Sequence, residues 1–331
     1  GGPTAARARQ IQRLWGGMGA VYSVTAGTAD GTSAELVVKR VALPRGGSLS
    51  FGDQRKKDSY QCESCFYETL AAELRAARCS VPAAMLVERH EDGSVTIVMS
   101  KLPGCSRSLG EAEMAVVVAF LARMHGHTWG ARADAAVANG LQPQGCYWYL
   151  DTRPDEWESM PTRGWEGRLR RAAKALDRRL KDDPHQCIVH GDLKSDNMMF
   201  TQGGGVSMCD FQYAGRACPM KDIAYLLCCA ASEGCSRATS EKYLAMYHSH
   251  LSDSLAARAE ATPQLEQLRA ALSLAFADLC RWMSGWGFWG DTEHLESQAC
   301  EVLDQLDGGN DLGSEEAYMD AVYSVFPLGG N

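Results

Sequence analysis

The feature that most constrains this chain is a set of polar residues at fixed intervals in an otherwise apolar stretch. Ile188-Val189-His190-Gly191-Asp192-Leu193-Lys194-Ser195-Asp196-Asn197-Met198-Met199-Phe200 holds an H-x-D with an asparagine five residues after the aspartate. Thirteen residues beyond Asn197, past Gln202-Gly203-Gly204-Gly205, comes Cys209-Asp210-Phe211. The glycine run marks a turn between two short strands, so the spacing predicts a small hairpin between Asn197 and Asp210. A carboxylate-capped turn accounts for any one of these residues, but not for all three at such intervals around one hairpin.

The surrounding pattern supplies a frame for that hairpin. At 331 residues, 45% hydrophobic and 22% charged, the chain is long enough to divide into two lobes with a crevice between them, where small ligands bind. Short β-prone runs over 20–25 and 35–41 flank a Gly/Ala/Asp turn, and residues 44–58, rich in Gly, Ser and charge, read as a loop. Phe66, Leu70 and Leu74 give residues 60–77 helical periodicity. Strands over 84–89 and 95–100 follow around Glu91-Asp92-Gly93, a strong hairpin signal. Leu102-Pro103-Gly104 then breaks the pattern, which predicts lobes over 1–101 and 102–331. Beyond the break, helices are expected over 111–127, 165–182, 219–233, 237–251, 263–284, 292–306 and 314–325. The expected class is α+β, with a β-rich N-lobe and an α-rich C-lobe that carries the hairpin.

Charge and cysteine content exclude several roles. Lys and Arg number 33 against 41 Asp and Glu, a net charge of −8, so a nucleic-acid partner is not expected. The one dense basic run, Arg163 to Lys181, has Leu169, Ala173, Leu176 and Leu180 at helical spacing and reads as a solvated amphipathic face. Thirteen cysteines, an odd number in a long chain with no evident signal peptide, fit a reduced, cytoplasmic setting better than a disulfide framework. Cys62 and Cys65 form a C-x-x-C without a second pair at zinc-ribbon distance, and read as structural thiols. The longest apolar stretches, 114–122 and 223–231, are nine residues each, against roughly 20 for a membrane-spanning helix. The opening Gly-Gly-Pro reads as a processing scar and is set aside.

The spacing of Asp192, Asn197 and Asp210 resembles the catalytic loop and metal-binding strand of the protein kinase-like superfamily, H-x-D-x-x-x-x-N with D-F-G, the last glycine replaced by Gln212. Phosphoryl transfer needs a carboxylate to orient the attacking hydroxyl and take its proton, and hard oxygen ligands for Mg²⁺. The resemblance implies that Asp192 does the first and that Asn197 and Asp210 do the second. Upstream, Trp15-Gly16-Gly17-Met18-Gly19-Ala20-Val21-Tyr22 resembles the phosphate-covering glycine loop through Gly17 and Gly19, with Tyr22 at the third glycine position. Lys39, in Leu36-Val37-Val38-Lys39-Arg40-Val41, matches the strand lysine that holds the ATP phosphates, and Glu63 is the leading candidate for its helix partner, with Glu68 and Glu73 as rivals. The same resemblance implies that Ser100 and Leu102, at the hinge, contact the nucleotide. Asp222 stands only twelve positions after Asp210 and no A-P-E follows, which argues against a protein substrate. Asp222 is expected to hold the catalytic loop through backbone hydrogen bonds, and His125 and His127 to be packed rather than catalytic.

Several segments together are similar to the ecdysteroid kinase-like (CHK kinase-like) branch of the aminoglycoside phosphotransferase and choline kinase superfamily, over about residues 11–290. They are Ile11 to Gly17, Arg55 to Tyr60 with Phe66-Tyr67, Leu121 to Gly130, His190 to Leu193, Asp210-Phe211-Gln212 and Asp222 to Tyr225. That resemblance implies an ATP- and Mg²⁺-dependent kinase for a hydroxyl of a small molecule, without naming the molecule. Lys194 stands where the branch often has Trp and protein kinases have Lys, and is expected to offset charge on the transferred phosphate. Trp282, Trp286 and Trp289 either line the acceptor pocket or pack in the core, and Tyr147-Trp148-Tyr149 is a second aromatic candidate. A choline- or ethanolamine-type kinase, favoured if the tryptophans form a cage, and an inert kinase-like binding protein are the competing readings.

Overall fold

The computed structural model describes residues 7–27, 32–42, 49–290 and 292–328. The turn expected between the first two strands, the first part of the loop expected over 44–58 and the Gly-Gly-Pro start lie outside the described residues. Five antiparallel strands form the first lobe: β1 (Arg7–Arg13), β2 (Gly19–Gly27), β3 (Ser33–Val41), β4 (Ala84–Arg89) and β5 (Val95–Ser100), in the order β1-β2-β3-β5-β4. β5 alternates buried and half-buried residues, so Val95, Ile97 and Met99 face the core in the period-2 pattern of a strand covered on one side. Lys39 lies opposite Ile97 in the β3–β5 register.

Two helices cover that sheet, α1 (Phe51–Thr69) and α2 (Ala71–Ala76). Residues 51–58 are therefore helical rather than loop, which corrects the expectation for that segment. Ser50 caps the helix by accepting the Asp53 backbone N–H at 3.1 Å, and the first two turns are polar because they cover no core. Apolar periodicity begins only where α1 reaches the sheet, with Phe66 and Tyr67 buried. β1 was not anticipated as a separate strand because all its residues are exposed and it carries no alternation.

The second lobe is helical: α3 (Glu111–His127), α4 (Ala131–Ala138), α5 (Pro154–Ser159), α6 (Gly164–Lys181), α7 (Met220–Tyr225), α8 (Arg237–Ala256), α9 (Leu265–Trp286), α10 (Thr292–Asp307) and α11 (Glu315–Val325). Two small antiparallel ladders sit within it. β6 (Cys187–Val189) pairs with β9 (Gly215–Ala217), and β7 (Met198–Phe200) pairs with β8 (Val206–Met208), the hairpin expected around the glycine run. α7 runs into a wide π-helical turn over Leu226–Ala230, so the helix expected over 219–233 ends early. The basic run on α6 is neutralised in place: Arg168 binds Asp304 and Asp307, Arg171 binds Asp311 and Lys174 binds Glu315, tying α6 to the C-terminal helices. Among the described residues, no helix is long and apolar enough to cross a membrane.

Candidate active site

The catalytic-loop segment is held from behind. Asp222 accepts the backbone N–H groups of His190 at 2.7 Å and Gly191 at 2.9 Å, and lies 3.2 Å from His125 Nε2. The other ring nitrogen of His125 is 2.9 Å from the Tyr247 hydroxyl, and His125 is fully buried, so it packs and orients. Gly191 has φ +81°, and a Cβ there would stand 2.5 Å from the Tyr213 carbonyl oxygen, so only glycine lets the loop lie this close. Phe211 stacks on Phe66, with the rings 3.8 Å apart and nearly parallel, and His190 packs against Phe211 at 4.6 Å with its ring tilted by 48°.

The polar residues converge in front of that support. Asn197 Nδ2 donates to the Asp192 carbonyl at 2.8 Å, and Lys194 Nζ is 3.0 Å from Asp192 Oδ2. The β7–β8 hairpin returns the chain so that the Cys209 N–H donates to the Asn197 carbonyl at 3.0 Å, which places Asp210 beside the loop. Asp210 takes φ +67°, an uncommon backbone for a side-chain-bearing residue, and one that Asp tolerates better than most. From the sheet, Lys39 Nζ reaches Asp210 Oδ1 at 2.9 Å and Glu63 Oε2 at 2.6 Å. Of the three candidate glutamates, Glu63 is therefore the partner. Glu68 binds Arg89 at 2.6 Å and Glu73 lies 3.7 Å from His127. Gln212, in the place of the expected glycine, donates to Asp210 and accepts from Ser59 of α1 at 3.2 Å.

Burial and pairing pull these groups in different directions. Burial alone would lower the Lys39 pKa, but the charges of Asp210 and Glu63 outweigh it and keep the ammonium firmly protonated. Burial pushes Glu63 up to about 7 against the opposing pull of Lys39. Burial would also raise Asp210, yet the Lys39 charge and hydrogen bonds from Lys39 and Gln212 hold it below the usual carboxylate range. Asp192 moves up, driven by burial and only partly countered by Lys194. The two aspartates are thus set apart, one held below its ordinary pKa and one raised above it, as groups with different tasks would be.

The model of the phosphotransferase enzyme family matches residues 10–272, most of the chain. The chain belongs to that family. Solved structures share its fold: an ethanolamine kinase of Plasmodium vivax has a TM-score of 0.51 at 12% identity, over 89% of this chain and 81% of that one. An amicoumacin kinase in complex with AMP-PNP and Ca²⁺ has a TM-score of 0.50 at 17% identity, over 89% and 88% of the two chains. The GDP complex of a mutant aminoglycoside 2′-phosphotransferase has a TM-score of 0.50 at 16% identity, over 90% and 91%. No curated protein matches the sequence.

In this phosphotransferase the turn at Trp15–Gly17 leads to Gly19, whose φ is +115° and where a Cβ would stand 2.0 Å from the Arg40 carbonyl oxygen. Gly17 also has positive φ, +71°, with open space around it. Ser100 ends β5 with its Oγ accepting the Ala83 N–H at 2.9 Å, so its side chain is engaged on the β4 side, and half-buried Leu102 follows. The Asn197 amide is turned so that its nitrogen donates to Asp192, which leaves its oxygen to act as a metal ligand, and Asp210 Oδ2 is likewise not used by Lys39. One carboxylate and one amide oxygen suit Mg²⁺, which is usually held by few protein ligands together with substrate phosphates. Among the described residues, no group of three or more His, Cys, Asp or Glu side chains suits a metal.

On the other side of Asp192 the wall is aromatic. Trp282 is buried, 5.0 Å from Tyr147 and 4.8 Å from Trp289, whereas Trp286 is 59% exposed at the end of α9. The Tyr147 and Tyr225 hydroxyls are 3.0 Å apart. Burial raises the pKa of Tyr225, and the charge of Asp192 raises it further. Trp148 lies in the core under Lys221, so of the second aromatic trio Tyr147 is the one that reaches this wall. Sequence reasoning missed Arg153. Its guanidinium lies over the Tyr147, Trp282 and Trp286 rings at 5.1, 5.6 and 5.5 Å, and nothing in its local sequence marks it. Cys62 also has a structural explanation: its Sγ meets the Ala214 carbonyl at 3.0 Å, and burial pushes the thiol up to about 12.

Proposed function

We propose that this phosphotransferase is a cytoplasmic, ATP- and Mg²⁺-dependent kinase acting on a hydroxyl group of a small molecule, of the ecdysteroid kinase-like branch. The observation that carries the reading is the Glu63–Lys39–Asp210 chain of contacts ending beside Asp192 and Asn197, because it joins a phosphate-binding cation to a proton acceptor across two lobes. In this reading residues 1–101 hold the nucleotide, through Gly17, Gly19, Lys39, Ser100 and Leu102, and residues 102–331 hold the acceptor. Asn197 and Asp210 would hold Mg²⁺, which when bound would supply positive charge against that of the phosphates. Asp192 orients the acceptor hydroxyl and takes its proton as the new bond to the γ-phosphorus forms and the bond to the β-phosphate oxygen breaks. Lys194, charged beside Asp192, offsets charge on the moving phosphoryl group.

Two competing readings meet specific observations. The tryptophans do form part of a cage, but Arg153 occupies it, which disfavours a choline-type acceptor. An inert binder would not need the ionised Asp210 and raised Asp192 that the site maintains. The test measures ADP formation over a broad alcohol panel with and without EDTA. Acceptor-dependent turnover that EDTA abolishes, and that Asp192→Asn lowers by about 10²–10⁴-fold, is expected. Nucleotide binding with no turnover on any acceptor would favour the binder.

A further inference from the structure

Two guanidinium groups that the phosphoryl chemistry does not use meet near the aromatic wall, Arg153 on the wall itself and Arg55 from α1 of the other lobe. Both are anchored to one segment, residues 145–153, which docks on the catalytic loop: the Cys146 N–H donates to the Tyr213 carbonyl at 3.0 Å and the Tyr147 N–H to the Gly191 carbonyl at 3.3 Å, one residue before Asp192. Arg153 donates Nε–H to the Tyr147 carbonyl at 2.8 Å and Nη1–H to Glu156 Oε1 at 3.1 Å. Arg55, reaching across from α1, donates Nη1–H to the Thr152 carbonyl.

The charge count on this segment is uneven. Glu156 answers Arg153, but among the described residues no carboxylate contacts Arg55, and its Nε–H is buried without a partner. Burial and the like charge of Arg153 lower the Arg55 pKa, and together they outweigh the opposing effects of Tyr213, Glu156 and Asp155. Arg55 is therefore a half-buried guanidinium with no ion-pair partner among the described residues and a second guanidinium in electrostatic reach. Tyr213, whose carbonyl receives the Cys146 N–H, lies within electrostatic reach of Asp192, Arg153 and Arg55, so the two guanidiniums and that carboxylate belong to one neighbourhood.

We propose that the acceptor carries an oxyanion, a carboxylate or a phosphate, bound by Arg55 and Arg153 while its hydroxyl faces Asp192. Guanidinium groups present paired N–H donors that match both oxyanions, and a cation already seated in the aromatic cage repels a second one. The Tyr147, Trp282 and Trp286 rings keep Arg153 in place when the acceptor leaves. This inference rests on the kinase reading and narrows its acceptor class.

The test follows tryptophan fluorescence of the full chain during titration with 4-hydroxybenzoate, its methyl ester, glycerol 3-phosphate, glycerol and choline. Saturable quenching by 4-hydroxybenzoate points to a carboxylate acceptor and by glycerol 3-phosphate to a phosphate one, with the neutral twins and choline silent. Arg55→Gln is expected to weaken the anion by about 10- to 100-fold and Arg55→Lys to restore most of the loss. Equal binding of an anion and its neutral twin, preference for choline, no saturable anion binding up to ~50 mM, or unchanged affinity in Arg55→Gln overturns the proposal. Binding of a fluorescent ATP analogue is measured in parallel and is expected to survive Arg55→Gln. Its absence from the unaltered chain would instead overturn the kinase reading.

Discussion

At the scale of single residues, charge placement decides what each carboxylate can do. Lys194 is paired with Asp192 at 3.0 Å yet keeps 39% of its side chain exposed, so removing it leaves no buried cavity and acts on the chemistry alone. Lys194→Ala is expected to lower kcat by about 10- to 10³-fold with little change in thermal stability, and an unchanged kcat would exclude the role. Glu63 ionises at about 7, so acidification below that value protonates it and removes its hold on Lys39. ATP affinity, read by calorimetry, is expected to fall as pH drops through 7, and Glu63→Gln to flatten that dependence at the weaker level. Asp192, Asn197 and Asp210 were legible from spacing because a hairpin turns sequence distance into proximity. Arg55 and Arg153 were not, because their partners are mostly backbone carbonyls and rings supplied by distant segments, which no local pattern records.

At the scale of elements, tight packing sets the position of the aromatic wall. Gly285 of α9 stands where a Cβ would come 1.8 Å from the Glu156 carbonyl oxygen of α5, so the two helices touch backbone to backbone there. Gly285→Ala is expected to push α5 away, destabilise the chain by about 1–3 kcal/mol and raise the acceptor KM more than the ATP KM. Steady-state kinetics in both substrates with a thermal melt separates those effects. The strands β4 and β5 were legible end to end, since the turn between them has Gly93 at φ +80° and β5 alternates cleanly. The start of α1 was hidden because its first turns are polar, and α4 and α5 are too short to complete a convincing apolar repeat.

At the scale of the whole molecule, the lobes are joined by contacts between groups far apart in sequence. Lys39 and Asp210 make one such link, Arg55 and the Thr152 carbonyl another, and the Phe66–Phe211 stack a third. Phe66 is fully buried between sheet and catalytic loop, so Phe66→Ala is expected to cost about 3–5 kcal/mol and to weaken ATP binding by releasing α1 and with it Glu63. Retained ATP affinity in the destabilised variant would show that α1 is positioned by other contacts. The two-lobed α+β class was legible from the order of strand-like and helix-like segments, whereas the joints between lobes are tertiary and leave no trace in any window of sequence.

The π-helical turn at Leu226–Ala230 also has a meaning for how this pocket can change over generations. Such a turn is wider than a regular helical turn, and here it closes the helix, with Ala231 already extended at φ −68° and ψ 128°. Loss of a single codon there would tighten the turn and change the direction in which the chain leaves it at Ala231. Cys229 would leave the neighbourhood of Asp192, and the bridge between Leu109 and Ala231 would lose its register. Chain length at this turn, and not only the identity of its residues, therefore decides what stands beside Asp192.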